Sequence, residues 1–400
     1  MSAEPVVLDD EGAPDDLIPT PRTSAPADRV ELFPLDSEEM RTAAQASGPI
    51  YTSWLRYWQS LETTERDSLS YPGWVAGHLE GQLRSKTGAD TSVLVAFAGS
   101  EVLSLLPVTM VRQGALHHAS GFDSKSAAIA RSDQPATLES LFSTRLRDGR
   151  VRSLHLESVE ESNLLLESSA PSVHTPVWFR SLIELQDGYE AMLARLSSSN
   201  RSGVRRLLKK ISRKHEVDLQ TITAIEQLDD AFERFLQVDD RSWKQNGGST
   251  LRDDPRQRES LRSSLDHMAR EGRAVVQFLR ADGQDIAAQL CTMIDSQLLV
   301  IKCSYDADWS SFGAGKLLLT ESMRTWCVAN NIAGLNLVTG LDWHLQWMPR
   351  RIQTHSLWLF ARGARGALAR LQDIPVQQSA RAIVRDLGLE EPARKLLRRD

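Results

Sequence analysis

Residues 303–338, CSYDADWSSFGAGKLLLTESMRTWCVANNIAGLNLV, constrain the fold more than any other stretch of the chain. They read as a strand end, a turn with glycines on either side of Ala314, an amphipathic helix and a second strand. Leu319, Met323, Trp326 and Cys327 recur at i, i+4, i+7 and i+8, the spacing of one buried helical stripe. Gly313 and Gly315 therefore stand where that helix begins. The first amides of a helix have no carbonyl partner within it, and the dipole favours negative charge there. Small residues at that point let a ligand's oxygens reach those amides, so the natural guest is a phosphate or pyrophosphate. The structural alternative is a tight turn in which glycine only permits the backbone angles.

The rest of the chain sets the context for this turn. At 400 residues it exceeds one core, and about 150 residues per domain suggests two or three units. A make-up of 41% hydrophobic and 25% charged residues is that of a soluble globular protein, and a net charge of -6 argues against a dedicated nucleic-acid binder. Cys291, Cys303 and Cys327 show no C-x-x-C and no Cys/His ligand spacing, so no metal is expected. They read as reduced core residues, which fits a cytoplasmic location. The N-terminus lacks the basic and apolar segments of a signal or transit peptide, and no run approaches the length of a transmembrane segment. Residues 1–31 carry eight carboxylates against Arg22 and Arg29 and are expected to form a disordered acidic tail.

Residues 32–186 read as one mixed α/β unit. Ser37 before Glu38 and Glu39 marks a helix start. Trp54, Leu55 and Trp58 then form the core side of a helix, an aromatic ligand platform being the alternative. Val93, Val95 and Phe97 alternate into a Gly99-Ser100 turn and a return strand over 102–110. Strands over 116–122, 151–156 and 177–185, and a helix over 138–146, complete the unit. His117 and His118 have no partner spacing and read as structural.

Residues 187–363 differ in character. From Arg195 to Lys214 there are eight basic side chains and no carboxylate. Ser199 or Asn200 can cap a helix within this run, with Val204, Leu207, Leu208 and Ile211 as its apolar stripe. Either this is a solvated face, or it is a cationic wall for a phosphate-bearing substrate, a polyanionic glycan or tRNA. A strand over 217–222, helices over 225–243 and 254–270, and a meander over 273–280, 284–294 and 298–305 follow, with Asp282-Gly283 as a tight hairpin turn. After the glycine turn and its helix come strands over 334–340 and 353–360. Residues 364–400 read as a helical basic tail.

The order of strand, G-x-G, helix and strand after an antiparallel meander resembles the acyl-CoA site of the GNAT acyltransferase superfamily. There a Q/R-x-x-G-x-G/A loop holds the CoA pyrophosphate. The six positions here are Ser310, Ser311, Phe312, Gly313, Ala314 and Gly315, so both glycines match and Ser310 replaces the usual Gln or Arg. Further landmarks occur in the order of one GNAT-like family, first associated with bacterial cellulose biosynthesis and related to the Fem-type peptidyl transferases. They are Ser53-Trp54, Leu105-Leu106-Pro107, Asn200 to Leu208, Asp282 to Ala287, Tyr305-Asp306 and Gly340 to Trp347. The resemblance implies an α/β (α+β) fold of two tandem GNAT-like domains, with mixed, mainly antiparallel sheets flanked by helices. It also implies acetyl-CoA or another acyl-CoA in the second domain, held by Ser311, Phe312, Gly313, Ala314, Gly315 and Lys316.

In that family the last landmark reads as glycine, an acid, an aromatic, a lysine and then tryptophan. Here Asp342 takes the acidic place, Trp343 the aromatic place, and His344 stands where lysine is usual, with a spacing one residue shorter. Acyl transfer from a thioester to an amine needs a neutral amine, a path for its proton and a donor to the developing oxyanion. Histidine titrates near neutrality and suits the proton path, while Asp342 suits orienting the imidazole or an ammonium substrate. The alternative is a packing corner of Trp343, His344 and Trp347. Tyr305, by resemblance to many GNAT enzymes, is the candidate acid that returns a proton to the CoA thiolate. The chain has no nucleophile elbow and no P-loop.

The expectation is an acyl-CoA-dependent N- or O-acyltransferase acting on a small or glycan-related acceptor between the halves. Two rivals stand beside it. One is an aminoacyl-tRNA-dependent transferase, as Fem-type relatives are, with the basic helix receiving RNA. The other is a non-catalytic scaffold in a polysaccharide assembly complex.

Overall fold

The protein is represented by a computed structural model, which describes residues 29–43, 48–60, 68–85, 91–112, 115–118, 142, 145–146, 149–161, 166, 170–247, 250–328 and 332–372. The acidic tail up to residue 28, the loop around Gly121, most of the helix read over 138–146 and the basic tail beyond residue 372 lie outside them.

The first half opens with β1 (Arg29–Pro34) and the helices α1 (Glu38–Ala43), α2 (Pro49–Ser60) and α3 (Pro72–Arg84). Next come β2 (Thr91–Ala98), β3 (Glu101–Arg112), β4 (Ala115–His118), the two-residue strands β5 (Arg145–Leu146) and β6 (Gly149–Arg150), β7 (Ser153–Glu160) and β8 (Ser172–Glu184). The second half contains α4 (Tyr189–Arg195), α5 (Ser198–Ser212), β9 (Val217–Ile222), α6 (Leu228–Asp240) and α7 (Pro255–Arg270). It continues with β10 (Ala274–Ala281), β11 (Gln284–Ile294), β12 (Gln297–Tyr305), α8 (Ala314–Val328), β13 (Gly334–Asn336) and β14 (Arg350–Phe360).

Local chemistry accounts for most of these boundaries. Asp282 and Gly283 both have positive φ, at 51° and 81°, the backbone a two-residue hairpin needs between right-twisting strands. Asp254 caps α7 by accepting the amide of Gln257 at 2.9 Å. Ser197, not Ser199 or Asn200, caps α5, its Oγ accepting the Asn200 amide at 3.2 Å. Asn200 is inside the helix, and its side chain is engaged elsewhere, donating to Gln346 O at 2.9 Å. β1 begins at Arg29 and so takes in residues read as acidic tail, because Val30 is buried against the first core. Residues 145–146, read as helix, pair instead with residues 149–150.

Among the described residues, twelve strands form one sheet in the order β1-β2-β3-β4-β7-β14-β8-β13-β12-β11-β10-β9. Read inward from either edge, the two halves repeat. Each is an antiparallel meander of four strands, then a parallel pair, β4 with β7 and β12 with β13. In the middle the halves exchange a strand: β8 from the first half pairs with β13, and β14 from the end of the second pairs with β7. β8 and β14 then pair with each other along most of their length.

Helices cover the second half of the sheet on opposite faces. Val276 and Phe278 of β10 pack with Leu261, Leu265 and Met268 of α7. Val275, one residue out of phase, packs with Leu319 and Met323 of α8. α3 crosses α7 with almost no space between them. A Cβ on Gly77 would stand 2.4 Å from Ser264 Cα, and one on Gly81 2.4 Å from Ser260 Cα. Ser264 Oγ donates to Trp74 O at 3.0 Å across the same seam. The first half is thereby fixed against the second half's helical face.

Candidate functional site

The tip of α8 is built by the turn before it. Asp306 caps residues 307–312, its Oδ1 accepting the Asp308 amide at 3.0 Å, while Arg241 Nε donates to its Oδ2 at 2.7 Å. Gly313 leaves this turn at φ 69°, ψ 40°, a left-handed conformation that glycine adopts without penalty. A Cβ there would also lie 2.8 Å from Leu207 Cδ1 of α5. Leu317 N donates to Gly313 O at 3.0 Å, and among the described residues the amides of Ala314, Gly315 and Lys316 before it have no acceptor. These are the donors an anion would use.

Basic side chains surround the tip, because α5 packs on α8 through Leu207, Leu208 and Ile211 against Ala314, Leu317 and Leu318. Lys210 Nζ donates to Ser311 O at 2.7 Å and sits 4.8 Å from the centre of the Phe312 ring. Lys316 turns back to donate to Gln346 Oε1 at 2.7 Å. Its burial, with Arg206 adding repulsion, holds its pKa below the ordinary lysine range. The glycine turn and the cationic helix, separate features of the sequence, are thus one site.

The sheet opens beside this tip. β12 and β13 pair only over residues 297–299 with 334–336. β12 then runs on to Tyr305 alongside β11, whereas the chain after Asn336 bends to β8, Leu337 N donating to Ser181 O at 2.8 Å. The bend is strained: Val338 has φ 58°, rare for a β-branched residue, with its amide held by Asn336 Oδ1 at 2.9 Å.

A cavity of about 260 Å³ occupies the split. Gly315, Leu319 and Leu337 line it on the face of α8, and Leu69, Trp74 and Gln257 line it on the face of α3 and α7. It therefore passes through the sheet, with the first half of the chain supplying part of one wall.

His344 lines the same cavity and is 2% exposed. Its Nδ1 lies 2.9 Å from Thr339 O and 3.2 Å from Ser181 Oγ. A carbonyl only accepts, so Nδ1 carries the proton and Nε2 is left as a lone pair. Burial pushes the imidazole pKa down to about 4, against a smaller upward pull from the Thr339 carbonyl. At neutral pH the ring is uncharged and in its proton-accepting form.

The other residues singled out in the sequence fall in different places. Tyr305 is half-buried at the end of β12, its ring 3.0 Å from where a Cβ on Gly315 would lie. Asp342 is exposed, is not part of the cavity wall and does not contact the imidazole, whose Nδ1 is taken by Thr339 and Ser181. Trp343 stands edge-on to His344, with ring centres 4.2 Å apart, and lines the cavity. Ser311 is exposed, and Phe312 is half-buried among the rings of Trp309 and His215.

Several lining residues carried little signal in the sequence. Lys244 Nζ donates to the buried Asp239 Oδ1 at 2.9 Å and to Cys303 O at 3.2 Å. Burial works to raise the Asp239 pKa, but Lys244 and the hydrogen bonds together bring it below the ordinary value. Gln289 Nε2 donates to Gln277 Oε1 at 2.7 Å and to Ser322 Oγ at 3.0 Å. Two glutamines inside apolar strands were the visible clue, since a buried amide needs partners.

Comparison with known proteins places this geometry. Residues 198–347 match the family model for the acetyltransferase (GNAT) domain, from the first residue of α5 to the last of the turn bearing His344. Among solved structures the chain is similar to FemX, with a TM-score of 0.52 and 10% identity over 80% of this chain and 98% of that one. It is also similar to the C-terminal domain (DUF2156) of a putative lysylphosphatidylglycerol synthetase from Agrobacterium fabrum. That match has a TM-score of 0.50 and 13% identity over 80% of this chain and 94% of that one. No curated protein matches the sequence. At these identities the likeness is one of fold, and residues 198–347 form a GNAT acetyltransferase-like domain within a mixed α/β protein.

Proposed function

We propose that the protein is an acyl-CoA-dependent acyltransferase whose acceptor, an amine or a hydroxyl, lies between the two halves. One observation carries the reading: a single cavity runs from Gly315, beside the unpaired amides of α8, through the β12–β13 split to the lone pair of His344. In this reading the diphosphate sits on the amides of Ala314, Gly315 and Lys316, and the thioester enters the split.

The acceptor nitrogen attacks the thioester carbonyl, the C–N bond forms as the C–S bond breaks, and CoA leaves as its thiolate. The proton lost by the amine passes to His344 Nε2. The thiolate takes a proton, for which the Tyr305 hydroxyl is the candidate donor. Asp342, exposed at the start of the same turn, suits drawing an ammonium acceptor towards the mouth. The order of landmarks along the chain supports the finer placement with the cellulose-biosynthesis-associated acyltransferases and a cytoplasmic, glycan-related acceptor.

Acetyl-CoA at a hundred times its Kd is expected to add about 2.7 kcal/mol of stability, read as a rise in Tm. Gly315→Trp, which places a ring in the cavity wall, is expected to abolish the rise. Absence of a shift with acetyl-CoA and with every longer acyl-CoA would rule the donor out. A second donor is favoured by α5 and the turn after it, which present Arg205, Arg206, Lys209, Lys210, Arg213 and Lys214 to solvent beside the tip. If the acyl group arrives on an aminoacyl-tRNA, immobilised protein retains tRNA with a steep dependence on salt.

A further inference from the structure

The cavity has an apolar closed end and an open mouth. Leu69, Trp74 and Val338 are at most 6% exposed, and all three belong to the core that α7 shares with the sheet, so the closed end is a gap in that core. Trp343 and Leu341, 41% and 52% exposed, stand at the mouth. Ile301 joins the closed end through an irregularity in the ladder. Val300 pairs with Cys291 and Lys302 with Leu290, so Ile301 is the extra residue of a bulge, and its side chain packs against the same core. Bulges re-aim side chains in this way. At Val338, with φ 58°, glycine would relieve the strain but would remove the methyl groups that wall the cavity.

The polar groups on the α7 side are engaged within the protein. Lys302 Nζ donates to Gln257 Oε1 at 2.5 Å, and Lys244 Nζ donates to Asp239 Oδ1 and to Cys303 O. Among the described residues, no carboxylate lines the cavity. An aminoacyl group would therefore bring its ammonium to a wall of hydrocarbon and lysine stems without a counter-charge, which the cost of burying a charge opposes. A hydrocarbon chain brings no such group.

We propose that the transferred group is a hydrocarbon acyl chain of medium length, which lies against Leu69, Trp74, Ile301 and Val338. A dry apolar cavity of about 150 Å³ takes a benzene ring, so 260 Å³ has room for about ten carbon atoms. With the thioester in the split, roughly six to eight of these remain for the acyl group. An acetyl group would leave the closed end unfilled. The acceptor approaches the carbonyl from the mouth, beside Asp342 and His344, so the two substrates meet at the split without sharing the closed end. The inference rests on the acyltransferase reading, and it assigns the class of acyl group and the residues that measure its length.

The test is titration calorimetry of the full chain with CoA, acetyl-CoA and the butanoyl, hexanoyl, octanoyl, dodecanoyl and hexadecanoyl thioesters. Each methylene that enters the closed end is expected to tighten Kd by about three- to fourfold, so hexanoyl-CoA should bind on the order of 10²-fold more tightly than acetyl-CoA. The binding heat capacity should become more negative over the same range, the mark of apolar burial. Both trends should stop near octanoyl. Ile301→Phe, which fills the closed end, is expected to remove most of the hexanoyl gain while the Kd values for CoA and acetyl-CoA stay as they were, which also shows that the variant folds. Leu69→Ala, which enlarges it, should move the limit to a longer chain; it decides the matter if Ile301→Phe does not fold. Binding of CoA with one Kd from acetyl to octanoyl overturns the inference and leaves the donor reading standing. A gain that continues unchanged to hexadecanoyl, or that neither variant alters, is adsorption outside the closed end and overturns it too. If neither CoA nor any thioester binds, the donor reading fails and the inference falls with it.

Discussion

The two nitrogens of His344 have different tasks. Nδ1 is pinned by the Thr339 carbonyl, and that carbonyl is aimed by the strained turn at Val338. Nε2 is left as the lone pair, the atom that takes the amine proton in the proposed reaction. With a pKa near 4 in the fold, against about 6.5 in the unfolded chain, the unfolded state binds the extra proton between those values. Stability attributable to this residue is therefore present above pH 6.5 and lost as pH falls towards 4, by on the order of 2 kcal/mol after allowing for screening at the cavity mouth. His344→Asn should flatten that part of the stability profile, measured by urea denaturation across pH 4 to 7. The same substitution should lower kcat/KM by about 10²- to 10⁴-fold, the range for loss of a general base, with acetyl-CoA binding retained. A wild-type stability profile as flat as the variant's would mean that the ring is not buried as the neutral form.

At the scale of elements, the contact between α3 and α7 decides whether the cavity has its second wall. Leu69, just before α3, and Trp74, within it, hold that wall only because Gly77 and Gly81 let the helix backbones touch. Gly77→Val forces the helices apart against backbone atoms, so a loss of about 2–3 kcal/mol is expected, with the added affinity of a hexanoyl chain lost and the acetyl-CoA shift kept. Gly99→Asn is the control. It has the positive φ of 61° that asparagine tolerates, with open space around it, and should cost no more than about 0.5 kcal/mol. Thermal or urea unfolding of both variants checks the contrast.

This seam also shows what could be seen in the sequence and what could not. The α8 stripe, the Gly313–Gly315 turn and the Asp282-Gly283 hairpin are legible because each is a local pattern whose cause lies within a few residues. The spacing of Gly73, Gly77 and Gly81 is equally regular, yet its meaning depends on serines of α7 almost two hundred residues away. His344 was legible as a residue type at a family landmark. Its tautomer was not, since that follows from Ser181 and Thr339, brought together by the pairing of β8 across the halves.

For the whole molecule, the exchange of β8 and β14 is the feature with the widest consequence. A cut between residues 186 and 187 leaves each piece with a strand meant for the other. The piece 1–186 would have β8 as its last strand without β13 beside it, and 187–400 would have β14 as its last strand without β7. It would also bare the faces of α3 and α7 and the neighbouring core residues Trp58, Tyr71 and Trp74, which share one core with Phe235, Leu265 and Phe278. Unpaired central strands and an exposed core face both oppose independent folding, because buried backbone groups lose partners and apolar surface meets water. Expressed alone, each piece should therefore bind a hydrophobic dye and lack a cooperative thermal transition. Expressed together, they should associate and recover one transition, since every strand then finds its neighbour. A sharp transition for 187–400 by itself would show that the exchange is dispensable, and that the second half carries its own folding unit without β8.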